Sequence, residues 1–166
     1  MEPTKLTLRL VTPDRDIAHE DVDFVQLPGL DGYFGILPGH APMLTELGAG
    51  VLTFRAGGAQ TFASVAGGFA EVLPDRVILL AEVAELGEDI DVARAQAAQE
   101  RALKVLQAKA EHVDFQVARA ALERSLIRIQ AAKLAGQSGM KHTPRGIVAG
   151  ERPHVEKSAA STAEKK

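Results

Sequence analysis

The 166-residue chain contains no cysteine and no tryptophan, one tyrosine (Tyr33) and six phenylalanines. Without cysteine there is no disulfide framework, no thiolate-ligated zinc, no iron–sulfur cluster and no thiol nucleophile. With aromatic residues at 4%, the core must be built from Leu, Val, Ile, Ala and a few Phe. Long apolar runs are missing too. A bilayer span needs about 20 predominantly apolar residues, and the richest stretch, Val77 to Leu86, is interrupted by Glu82 and Glu85. Met1-Glu2-Pro3-Thr4-Lys5 has no basic region leading into an apolar run, so no secretory signal is expected. Charged residues at 25% and apolar residues at 46% otherwise describe ordinary globular material, enough for one domain or two small ones.

Basic residues are scarce in the first half. Residues 1–88 carry 5 Lys/Arg against 13 Asp/Glu, residues 89–135 carry 8 against 6, and residues 136–166 carry 6 against 3. The net of -3 therefore divides into -8, +2 and +3. An acidic front half argues against binding to a phosphate backbone through that half, and no nucleic-acid partner is expected. The change of sign along the chain points to segments with different tasks.

Residues 1–87 read as β structure. Leu6-Thr7-Leu8-Arg9-Leu10 alternates with period two, and further short runs cover Val22 to Leu27, Val51 to Arg55, Thr61 to Ala66, Phe69 to Leu73 and Val77 to Val83. Turn chemistry at Pro28-Gly29-Leu30-Asp31-Gly32, Gly57-Gly58 and Pro74-Asp75 separates them, which favours a small antiparallel β-sandwich or flattened barrel over a parallel sheet. From Glu88 to Ala135 there is neither Gly nor Pro, and 13 of the 47 residues from Asp89 are Ala, so residues 88–136 read as an antiparallel helical hairpin. Helices are expected over 90–110 and 114–135, each roughly 30 Å long, capped by Asp89 or Asp91 and by Asp114. Phe115, Ala118, Leu122, Leu126 and Ile129 mark an apolar stripe on the second helix. Residues 137–166 read as a flexible basic tail. The fold class is thus α+β in two parts, sandwich first and hairpin second.

Catalytic constellations are hard to find. His19, His40, His112, His142 and His154 are scattered, with no pair at helical metal spacing. His40, in a rigid Pro/Gly loop, is expected to hydrogen-bond the backbone, and a small hydrolase centred on it is disfavoured. Gly67-Gly68 leads into a strand instead of a helix, which fits a bulge or close backbone approach better than a phosphate cradle. The helical arginines are less bland. Asp91, Arg94 and Arg101 fall within about 80° on one helix face, and Arg124 and Arg128 are i, i+4 neighbours on the other helix. If those faces meet, the guanidiniums converge in a geometry suited to a polyphosphate, with Asp91 or Glu85 to offset charge. Spacing alone favours a solvated face with ordinary salt bridges.

Three segments carry a family resemblance: Gly32-Tyr33-Phe34-Gly35-Ile36-Leu37-Pro38-Gly39-His40-Ala41-Pro42, Gly67-Gly68-Phe69-Ala70-Glu71-Val72, and Ile90-Asp91-Val92-Ala93-Arg94-Ala95. In this order and at these distances they resemble the epsilon subunit of F-type ATP synthases, called delta in mitochondria, over about residues 4–135. The resemblance implies a β-sandwich followed by a helical hairpin, in a central-stalk rotor part with no catalytic site of its own. It implies that the sandwich binds the gamma subunit and rests on the ring of c subunits. Leu30, Asp31, Gly32 and Tyr33, with His40 in the following loop, match the contact region. It also implies peripheral attachment at the cytoplasmic side of a bacterial plasma membrane, without insertion into the bilayer. In some bacterial members the compact hairpin binds ATP, while an extended hairpin enters the alpha/beta head and inhibits hydrolysis. The ATP pattern is met by Ile90, Asp91 and Arg94, with Arg101, Arg124 and Arg128 where further arginines are expected and Glu85 as the preceding acid. ATP, with or without Mg, is thus the expected regulatory ligand, and no cofactor is required. The segment beyond Ala135 departs from the family by about 30 extra residues. A free-standing adaptor binding an unrelated protein remains the alternative.

Overall fold

The computed structural model describes residues 4–108 and 115–138. Eight strands, β1 (Leu6–Val11), β2 (Asp16–Val22), β3 (Phe24–Gly29), β4 (Gly32–Ile36), β5 (Met43–Glu46), β6 (Gly50–Ala56), β7 (Ala59–Val72) and β8 (Arg76–Leu86), precede two helices, α1 (Val92–Gln107) and α2 (Phe115–Ser138). The strands form one sheet in the order β2-β1-β8-β7-β6-β3-β4, with β5 also on β7.

β7 organises the sandwich. Its first half pairs with β6 (Gly50↔Val65 to Ala56↔Ala59) and its second half pairs with β5 (Met43↔Val72 to Glu46↔Phe69). Between the halves sit Gly67 and Gly68, both at positive φ. A Cβ at Gly68 would lie 2.1 Å from the Leu80 carbonyl oxygen, so only glycine lets β7 and β8 stay paired through this bend. β7 and β8 thus run through both layers, and the sheet folds over until β2 meets β6. The alternating Leu6, Leu8 and Leu10 point into the space enclosed, against Val25, Leu27, Ile36, Leu52, Phe54, Val65, Val77 and Leu79. All of these are essentially fully buried.

One pair departs from the antiparallel expectation: β1 and β8 are parallel, Thr7↔Arg76 through Val11↔Leu80. Parallel neighbours need a long connection, and the six intervening strands supply it. Two runs expected as separate strands, Thr61 to Ala66 and Phe69 to Leu73, are fused into β7. β2, β4 and β5 had no strand assigned to them alone. At Gly57 and Gly58, φ values of +58° and +86° make the tight primed turn that suits a two-residue hairpin.

The outer face of β6 and β7 presents Val51 and Phe62, and the hairpin docks there through Ile90, Ala95, Ile127 and Ala131. Gly87 sets how near α2 can come. Its N–H donates to the Phe62 carbonyl at 2.7 Å, and a Cβ on it would sit 2.6 Å from the Ala131 carbonyl oxygen. The expected stripe on α2 is only partly the packed face: Ala118 is buried and Ile129 packs against the docking cluster, but Phe115 and Leu126 are about half exposed, and Ser125, Ile127 and Ala131 are buried instead. α2 packs mainly on α1 and β7, and close approach to both selects short side chains over the larger ones of the stripe. Buried Ser125 donates its hydroxyl to the Leu122 carbonyl at 2.6 Å, so it leaves no unpaired polar atom. α2 continues through Gly136 to Ser138, and the rest of the expected tail lies outside the described residues, as does Asp114.

Candidate functional site

Where the hairpin leaves the sandwich, a cleft of about 420 Å³ opens between them. That lies within the range of small-molecule sites. The linker after β8 shapes one end. Ile90 is buried among Val51, Phe62 and Ile127, which pins the chain just before α1. Asp91 then takes extended backbone angles as the N-cap, its Oδ1 accepting from the Arg94 N–H at 3.0 Å.

α1 lines the cleft with Arg94, Ala95, Ala98 and Arg101. The two alanines keep the wall low, and the arginines flank it from positions two helical turns apart. α2 contributes Arg128, whose Nε lies 3.3 Å from Glu85 Oε2 on β8. Side-chain exposures of 36% and 28% make this a half-solvated pair, worth less than about 1 kcal/mol.

Of the expected site residues, Glu85, Ile90, Asp91, Arg94, Arg101 and Arg128 all line this cleft. Arg124 does not. It sits over Ser64, Val65 and Ala66 of β7, in a separate crevice that touches Arg128. Asp14 and Arg15, from the turn between β1 and β2, and Glu82 of β8 also line the cleft. Sequence spacing had no means of nominating them, because only the folded sheet brings the β1–β2 turn beside α1.

The electrostatics are finely divided. Four guanidiniums (Arg15, Arg94, Arg101, Arg128) face four carboxylates (Asp14, Glu82, Glu85, Asp91). Two of the carboxylates are engaged, Asp91 with the helix end and Glu85 with Arg128. Among the described residues the guanidiniums of Arg15, Arg94 and Arg101 make no hydrogen bond or ion pair. A cleft with three unengaged guanidiniums and a small apolar wall fits an organic polyphosphate.

The second expected region is the turn between β3 and β4. Leu30 stands at its exposed tip, followed by Asp31 and Gly32. Tyr33 is half exposed, yet its hydroxyl accepts from the Val51 N–H at 3.0 Å and fastens the turn to β6. Leu30 to Tyr33 line a shallow depression with Met43, Thr45 and Glu46, and His40 is not part of it. The His40 ring nitrogen Nδ1 lies 2.8 Å from the Ala41 carbonyl oxygen, its only partner among the described residues. That is the backbone role expected of it. No cluster of three or more metal-ligating side chains occurs among the described residues.

A third feature escaped sequence reading. Leu44, Phe69 and Leu80 are 73%, 53% and 59% exposed. Phe69 is directly opposite Leu80, and Leu44 is opposite Glu71, so the register puts all three on one outer face. The alternation that would have revealed them is broken at the Gly67-Gly68 bend.

Comparison with known proteins agrees with this architecture. The beta-sandwich domain of the ATP synthase delta/epsilon chain matches residues 5–87, and the long alpha-helix domain of the same chain matches residues 88–133. Sequence identity is 43% over 129 residues with the ATP synthase epsilon chain of Syntrophobacter fumaroxidans, covering 78% of this chain and 96% of that one. It is 47% over 130 residues with the ATP synthase epsilon chain of Solibacter usitatus, covering 78% and 97%. A chain in the structure of the Euglena gracilis mitochondrial ATP synthase with its c-ring, in rotational state 1, is similar in fold. The TM-score is 0.69 at 28% identity, over 81% of this chain and 84% of that chain.

Proposed function

This chain belongs to the delta/epsilon family of ATP synthase subunits, and from that premise we propose that it is the central-stalk rotor subunit of a proton-translocating F-type enzyme, with a hairpin that senses ATP. Like the epsilon chains it matches, it is a non-catalytic subunit of the rotary complex. In this reading the sandwich transmits torque between the c-ring and gamma. The exposed Leu44, Phe69 and Leu80 are the apolar face offered to gamma, and the Leu30 tip is turned to the ring. Among the described residues no helix is long and apolar enough to cross a membrane, and attachment is peripheral, through the ring, on the cytoplasmic side of the bacterial membrane.

The observation that carries the regulatory part is the cleft. Its walls come from β8, the linker, α1 and α2 together, so a ligand there meets its full set of partners only while the hairpin is docked. ATP, free or with Mg, then favours the compact state by RT ln(1 + [ATP]/Kd), about 1.4 kcal/mol for each tenfold beyond saturation. At low ATP the hairpin leaves the sandwich, enters the alpha/beta head and blocks hydrolysis. Isothermal titration of the chain with ATP and Mg should give saturable binding. Arg94→Ala or Arg128→Ala should weaken it at least about tenfold, as expected for loss of a charge-assisted contact. An unchanged Kd in both variants removes these side chains from the site, and no binding at millimolar ATP leaves a purely mechanical rotor part.

A further inference from the structure

The cleft is not built by the hairpin and β8 alone. Arg15 reaches it from the sandwich side, on the turn between β1 and β2, and is the fourth arginine along its lining, whereas Arg124 lines the adjoining crevice. Its turn is closed from within. The Thr12 N–H donates to the Arg15 carbonyl at 2.9 Å, the Thr12 hydroxyl donates to the same oxygen at 3.0 Å, and the Arg15 N–H returns a bond to Thr12 Oγ1 at 3.3 Å. The Arg15 backbone is therefore held while its side chain is left over. The nearest acid in the following strand, Asp16, is taken by Arg9 at 3.2 Å. Among the described residues the Arg15 guanidinium has no partner.

Charge decides what that side chain does. Without Arg15 the cleft would hold three guanidiniums against four carboxylates, a net of -1 that disfavours a polyanion. With it the formal balance is zero. With Glu85 paired to Arg128, three unengaged guanidiniums face Asp14, Glu82 and Asp91, and the Asp91 Oδ1 is taken up by the start of α1. We propose that Arg15 is a phosphate-binding residue of this cleft, so that a bound nucleoside polyphosphate is gripped by guanidiniums from the sandwich and the hairpin at once and fastens one to the other. This rests on reading the cleft as a nucleotide site. It adds that the sandwich is a direct contributor to the site as well as the hairpin's resting place. The specificity it confers is for the phosphate chain, since a guanidinium on an exposed turn matches phosphate oxygens and offers no acceptor to a base.

The test is calorimetry and thermal melting of the full chain with ATP and, separately, with inorganic triphosphate. It compares wild type, Arg94→Ala, Arg15→Ala and Arg15→Lys. Arg15→Ala should weaken both ligands by about fivefold, Arg15→Lys should recover part of the loss, and the ligand-free melting temperature should not move, because the side chain has no partner to lose. The ligand-induced rise in melting temperature should shrink with the affinity. If wild type binds and Arg94→Ala fails to, while Arg15→Ala binds both ligands as wild type does, Arg15 is a solvated turn residue and the proposal is wrong. If ATP weakens while triphosphate is unaffected, Arg15 does not touch the phosphates and the proposal is wrong in its chemistry. If wild type binds neither ligand, the nucleotide reading of the cleft falls and Arg15's role falls with it.

Discussion

The sandwich and the hairpin are held by different means. The sandwich closes around Leu6, Leu8, Leu10, Leu27, Leu52, Phe54 and Leu79, large side chains removed from water entirely. The hairpin meets it through Ala95, Ala131, Ile127 and Ile90, two of them alanines that allow backbones to approach but bury little area each. The first is a core in the full sense, and the second is a thinner docking surface. In the proposed reading that contrast is what a movable arm requires: one portion keeps its shape under load, and the other is released at modest cost.

The contrast can be broken at either end. Phe54→Ala opens a cavity in the sandwich and should cost about 3–5 kcal/mol, read as a fall in the denaturation midpoint of the whole chain. Gly87→Val acts on the arm alone. Its side chain would collide with the Ala131 carbonyl and the Ala135 methyl, so α2 should be pushed off at about 1–3 kcal/mol. Amide hydrogen exchange should then accelerate across residues 127–135, with β1 and β8 unaffected. If the sandwich loosens equally, the two parts are one cooperative unit. Asp91→Ala removes the N-cap of α1 and should cost about 1 kcal/mol, seen as faster exchange in the first turn, whereas Asp91→Ser should retain most of it. Smallest is the Glu85–Arg128 pair. A double-mutant cycle with Glu85→Gln and Arg128→Gln should return a coupling below about 1 kcal/mol, falling further with salt.

What was legible beforehand was whatever local chemistry determines. The alternation in Leu6 to Leu10, the hairpin turn at Gly57-Gly58 and the helix start at Asp91 are set by neighbours in sequence, and each occurs where expected. β2 (Asp16–Val22) has few apolar residues because it is an edge strand paired on one side only, so its pattern is weak. β5 is four residues long and exists because β7 offers it an edge. The family resemblance covered these strands, although period counting alone did not. In the cleft, Arg94 and Arg101 were legible because one helix presents both. Arg15 was not, because its place depends on β8 lying beside β1, and spacing along a helix could not tell that Arg124 lines the adjoining crevice while Arg128 lines both.

The parallel pairing of β1 with β8 joins the first strand of the sandwich to its last. A nascent chain therefore cannot complete this domain until residue 86 has left the ribosome, and closure of that pair is the long-range, entropically expensive step of folding. The hairpin that follows is local and fast by comparison. It is still being synthesised when its landing place comes into existence, so the order of events at birth is fixed by topology: scaffold first, arm second. In the proposed cycle, each release and return of the arm repeats only the second of these two acts.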